Sequence, residues 1–142
     1  MKFIFTDFDG VLHPVTAKEH ERFSNAGKLL DAITGYEDEV RVVITSSHRH
    51  GYELSALKAL LPRPVANLVV GITPRCKGKF PRYEEIKAYL DQHAPGADWC
   101  TLDDEPMIFP QPCEQLILCN SFVGLDDLGV GRIRRWLVGE SV

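Results

Sequence analysis

KFIFTDFDGVLHP, residues 2–14, opens on an apolar stretch rich in aromatic and β-branched side chains and then turns abruptly acidic. A short run of that kind, closed by an Asp-Gly bend, reads as a buried β-strand entering a turn. Asp7 and Asp9 flank Phe8 directly after it, and Gly10 lets the chain leave at dihedrals that other residues resist. Two carboxylates that close repel each other unless a cation stands between them. A hard divalent ion such as Mg²⁺ keeps several waters, so two or three carboxylates suffice to hold it. The competing reading of the same residues is a plain Asp-Gly turn with a capping Asp.

Downstream, the pattern of the first strand recurs. His20 to Ile33 spaces Phe23, Ala26, Leu29, Leu30 and Ile33 as one helical face, with Ser24-Asn25 as an alternative start. VRVVI (40–44) predicts a second strand, followed by the polar turn TSSHR. Tyr52 to Leu61 is helical in period until Pro62 stops it. ANLVVGI (66–72) is a third strand, and TPRCKGKFPR (73–82) a basic loop. Tyr83 to His93 predicts a helix, Trp99 to Leu102 a strand ending at Asp103-Asp104, LILC (116–119) a last strand, and Asp126 to Val138 a closing helix. Strands alternating with helices imply an α/β fold, a mostly parallel sheet with helices on both faces. Such sheets gather their binding groups at the carboxyl ends of the strands. Asp7-x-Asp9, Thr45-Ser46-Ser47 and Asp103-Asp104 would therefore meet along one edge.

Composition narrows the class. The 142 residues are 44% hydrophobic and 25% charged, ordinary for a globular protein and near the common size of one domain, expected here to span residues 1–142. No apolar run approaches the roughly 20 residues that cross a bilayer. The N-terminus does not read as a signal peptide, so a cytoplasmic location and no membrane partner are expected. Cys76, Cys100, Cys113 and Cys119 stand far apart without a CxxC pair and read as reduced thiols. A net charge of −4 gives no general attraction to polyanions. Local basic clusters at Arg75, Lys77, Lys79 and Arg82, and at Arg132, Arg134 and Arg135, are read either as solvated faces or as anion contacts.

FTDFDGVLHP resembles the first motif of the haloacid dehalogenase (HAD) superfamily of phosphohydrolases. VVITSSHR resembles its second motif and WCTLDDEP its fourth, in the same order along about residues 2–128. DFDGVLHP, TSSHR, RYEEI and LDD are most similar to a capless branch related to HAD domains of RNA-repair (Swiss Army Knife) proteins. The resemblance implies a HAD-like Rossmannoid three-layer sandwich without a separate cap domain, and Mg²⁺ as cofactor.

Carried over by position, it implies Asp7 as the nucleophile that becomes an aspartyl-phosphate. Asp9 would protonate the leaving group and then activate water, its backbone carbonyl also meeting the metal. Thr45, or Ser46 if the strand runs one residue longer, would hold the phosphoryl oxygens. The single cation of the third motif falls on Arg82, with Lys79 the alternative. Asp103 or Asp104 would complete the metal shell begun by Asp7 and Asp9. Arg49 is a candidate phosphate contact or a surface residue, and His13 reads as a packing or capping residue.

Relatives with caps insert them after the first motif or between the second and third. Here those intervals are filled by a flap and a helix, then by a helix, a strand and a loop. The resulting open site fits a phosphorylated macromolecule, a nucleic-acid end or a pocket closed by a partner; the sequence leaves the oligomeric state unspecified. The leading expectation is a Mg²⁺-dependent phosphatase. A catalytically silent regulatory or interaction module is the alternative, and a response-regulator receiver ranks below both because its phosphorylated Asp sits on a later strand.

Overall fold

The computed structural model describes residues 1–45 and 52–140. Its centre is a five-stranded, all-parallel sheet of order β3-β2-β1-β4-β5. β1 (Lys2–Thr6) lies in the middle, flanked by β2 (Val40–Ile44) and β4 (Asp98–Asp103), with β3 (Val69–Ile72) and β5 (Leu116–Leu118) at the edges. A central parallel strand is covered on both faces, and for that reason β1 and β2 are almost unbroken apolar runs.

The two covering layers are unequal. Ile4, Val42, Ile44, Leu102 and Ile117 face one core. It is closed by α1 (Ala26–Ala32), α2 (Leu54–Leu60), α3 (Arg63–Ala66) and α5 (Asp127–Leu137). Phe3, Phe5, Val43, Trp99 and Leu116 face the other, which a single long helix, α4 (Pro81–His93), closes with Ile86, Tyr89 and Leu90, helped by Phe109. Phe5 meets Tyr89 and Trp99 edge to face, at centroid separations of 5.8 and 6.0 Å, an arrangement that aromatic quadrupoles favour. The sheet beneath Tyr89 must be bare: a Cβ on Gly71 would overlap the tyrosine hydroxyl.

Pro81 starts α4 at its first turn, where a missing N–H costs nothing. Asp126 caps α5 by accepting the Gly129 N–H at 2.9 Å. β1 and β2 take the bounds their apolar runs predict. Elsewhere the structure departs from the expected elements. The helix expected over 20–33 is a 3₁₀ turn (Glu19–Glu21) and a shorter α1, because Phe23 adopts φ +62° and the N–H of Asn25 donates to the carbonyl of Leu12 rather than along a helix. β3 starts later than expected, since the chain after Pro62 first makes the short turn of α3. Arg82 belongs to α4 itself, not to the loop before it. Among the described residues, neither interval that could carry a cap holds a second folded unit. Among the same residues, no helix is long and apolar enough to cross a membrane.

Candidate active site

Register builds the site. Thr6 pairs with Ile44 on one side and with Leu102 on the other. The next residues of all three strands therefore stand abreast: Thr45, Asp7 and Asp103. The ladder continues into them, with the Asp7 N–H donating to the carbonyl of Leu102 at 3.2 Å and the Thr45 N–H to that of Thr6 at 3.0 Å. The Asp7 carboxylate is fixed in turn, Oδ1 accepting the N–H of Phe8 at 2.8 Å.

Asp104, one residue further, swings over the turn after β1. Its Oδ2 accepts the hydroxyl of Ser121 at 2.8 Å and lies against Gly10, where a Cβ would collide with the carboxylate. Gly10 also has φ +77°, so backbone conformation and close approach both exclude a larger residue there. One carboxylate oxygen each from Asp7, Asp103 and Asp104 lies within 4.8 Å of the others.

Arg82 enters from the first turn of α4. Its Nη1 donates to Asp103 Oδ2 at 2.9 Å and to the Thr45 hydroxyl at 3.2 Å, and lies 3.9 Å from Asp7 Oδ2. Its Nε is 3.6 Å from Glu85, one turn along α4, and the buried Glu85 carboxylate also accepts the N–H of Cys76 at 3.1 Å. This guanidinium thus ties helix, strand ends and basic loop together. Asp103 has both oxygens engaged, Oδ1 accepting from the N–H of Glu105 at 3.0 Å.

The electrostatics follow from crowding acids in a sheltered place. Burial raises the Asp7 carboxyl above its ordinary range, Arg82 and the Phe8 N–H oppose the shift, and Asp104 and Asp9 add to it. Burial likewise pushes Asp103 up to about 7, against the pull of Arg82 and with the help of Asp7. Among the described residues, one guanidinium does not compensate the acids gathered here. A hard divalent cation fits what is missing: oxygen donors only, converging, with carboxylates that resist ionising in its absence.

Of the residues singled out in the sequence, Asp7, Thr45, Arg82, Asp103 and Asp104 come together. Asp9 is adjacent, but its half-exposed carboxylate pairs with His13 and is not one of the three clustered acids. Lys79 sits over the ring of Phe80, in the exposed part of the loop with Arg75 and Lys77. Ser46 and Arg49 lie outside the described residues. Arg132 and Arg134 contact the carbonyls of Leu116 and Asp31, which ties them to the scaffold. Ser121 escaped the sequence reading. Nothing in the chain announces Ser121, whereas Glu85 is three residues from Arg82 on one helix face and was legible as a partner. A cleft of about 400 Å³ lined by Trp99, Gln115 and Trp136 opens at the opposite edge of the sheet and holds none of these groups.

No curated protein and no solved structure matches the chain. A family model does, across residues 3–130, with the acidic cluster and Arg82 all inside the matched span. The chain belongs to the family described as the HAD domain in Swiss Army Knife RNA repair proteins.

Proposed function

We propose that this protein is a Mg²⁺-dependent phosphomonoesterase in which Asp7 is the nucleophile. The observation that carries the reading is the convergence of Asp7, Asp103 and Asp104 within 4.8 Å, with Arg82 reaching both Asp7 and Asp103.

The strand position of Asp7 and the Phe8 N–H fix one of its oxygens, which supports its role as nucleophile. Its carboxylate adds to phosphorus as the bond to the leaving oxygen breaks, and Asp9 gives that oxygen a proton. Water then attacks the aspartyl-phosphate, Asp9 takes the proton back, and Asp7 is released with inorganic phosphate. Thr45 and Arg82 hold the phosphoryl oxygens, as a hydroxyl and a guanidinium at a strand end can. Asp7, Asp104 and the Asp9 carbonyl would hold the metal, leaving Asp103 to its two protein donors. When bound, Mg²⁺ supplies positive charge that offsets the acids and the phosphoryl group.

The half-exposed Asp9 and the lack of a cap among the described residues favour a phosphate presented on a large molecule. The family description and the exposed cations Arg75, Lys77 and Lys79, on the loop that leaves β3 toward this edge, support a nucleic-acid end as that substrate. Purified protein with Mg²⁺ should release phosphate from an aryl phosphate and from an end-phosphorylated oligonucleotide. EDTA should stop both, and Asp7→Asn should abolish both, a loss of at least about 10⁴-fold for a covalent nucleophile. Full activity in Asp7→Asn would end the mechanism.

A further inference from the structure

His13 stands outside the acid cluster, yet it touches the group on which proton transfer depends. The turn after β1 folds back on itself. Gly10 N–H donates to the carbonyl of His13 at 2.9 Å, and the N–H groups of Val11 and Leu12 donate to that of Phe8 at 3.2 and 3.0 Å. The fold-back lays the imidazole beside Asp9, with Nε2 2.7 Å from Oδ1. On the far side of the ring, Nδ1 accepts the backbone N–H of Phe23 at 3.1 Å. A ring nitrogen that accepts an N–H bears no proton. The proton of the imidazole is therefore on Nε2, and His13 donates to Asp9.

The surroundings allow little else. His13 is 3% exposed, and its ring meets Phe23 edge to face at 5.4 Å, while Phe23 meets Phe8 the same way at 5.3 Å. Phe23 takes φ +62°, a backbone state that bulky side chains avoid, and it is there that the expected helix breaks. The unusual backbone at Phe23 thus serves a visible end: it supplies the N–H that selects the tautomer of His13.

We propose that His13 is a positioning residue, held by Phe23, whose Nε2–H bond to Oδ1 orients the Asp9 carboxyl for the proton that it gives and takes. The inference rests on the phosphatase reading above. In the first half-reaction the O–H bond of the Asp9 carboxyl breaks, its proton going to the leaving oxygen as the P–O bond to that oxygen breaks and the bond from Asp7 to phosphorus forms. In the second, an O–H bond of water breaks, its proton returns to the Asp9 carboxylate, the water oxygen bonds to phosphorus, and the Asp7–phosphorus bond opens.

A proton donor matters most when the leaving group is poor, and this sets the test. With Mg²⁺ present, His13→Ala should lower kcat between about 10- and 10²-fold on an alkyl phosphate, and much less on p-nitrophenyl phosphate, with KM little changed on either. His13→Gln, whose amide can still donate toward Asp9, should recover part of the loss. Adding His13→Ala to Asp9→Asn should cost nothing further, since the two act as one unit. Nitrogen-15 shifts of the imidazole in the unmutated protein should show the proton on Nε2, a readout that needs neither activity nor a variant that folds. Equal losses on the two phosphates, additive losses with Asp9→Asn, or a proton on Nδ1 would overturn the proposal. An enzyme that depends on Asp7 but is indifferent to His13 sinks this inference alone. A pure protein hydrolysing neither ester sinks the phosphatase reading, and the role of His13 with it.

Discussion

The two acids of the DxD turn sit two residues apart and are held by opposite means. Asp7 is part of the sheet's edge: its N–H continues the ladder, its carboxylate is buried, and its counter-charge comes from a helix packed into the core. Asp9 is on a loop, its side chain 48% exposed, and its partner His13 is steadied by another loop residue. A nucleophile must be aimed once and kept there, and rigid secondary structure does that. A proton carrier must reach both the leaving group and water, so it belongs at the exposed rim. The contrast implies that damage to the buried anchor of Asp7 costs stability as well as rate, and damage on the Asp9 side rate alone.

The hardest blow to that distinction is Arg82→Met. It takes the guanidinium away from the buried Asp103 and Glu85, and removing one member of a buried pair costs about 3–5 kcal/mol. Urea unfolding of the metal-free protein should show that loss at pH 8 and a smaller one at pH 5, where Asp103 carries a proton. Asp9→Asn should lower activity about 10²- to 10⁴-fold while moving the same unfolding midpoint little. Comparable destabilisation by the two variants would erase the contrast. Gly10→Ala should act on both sides at once, because the turn joins them. The positive φ and the collision with Asp104 predict a loss of about 1–3 kcal/mol and a weakened response to Mg²⁺ in thermal melts.

The gentlest probe is pH. The Asp103 carboxyl is raised from 3.8 to about 7, so folding favours its protonated form. Its contribution to stability is present below pH 4 and is lost as pH rises through about 7. A metal ion held by the neighbouring Asp7 and Asp104 would disfavour that proton through its charge alone. The rise in Tm on adding Mg²⁺ should therefore be larger at pH 8 than at pH 5.5, and an equal rise at both would mean that ionising Asp103 is not coupled to metal binding.

Much of this architecture was legible in the chain because strand and site share one signal. β1 and β2 end where the apolar run meets a polar residue, and those polar residues are Asp7 and Thr45. Register alone then sets them beside Asp103. What the chain concealed depends on contacts between separate loops. The spacing of Phe23, Ala26, Leu29, Leu30 and Ile33 truly favours a helix, but hydrogen bonds from Phe23 to His13 and from Asn25 to Leu12 outweigh local propensity and break it. Ser121 is a lone hydroxyl whose value lies entirely in where β5 delivers it. His13 looked like a packing residue and does pack; its bond to Asp9 is invisible until the turn is folded.

Arg82 rides on α4, and α4 is also the helix that seals the Phe5 side of the sheet. The cation's aim is therefore inherited from hydrophobic side chains up to two turns away. Trimming Leu90 would loosen the grip on phosphate without touching a charged group, so catalytic competence here is in part a property of an oily seam that no substrate ever meets.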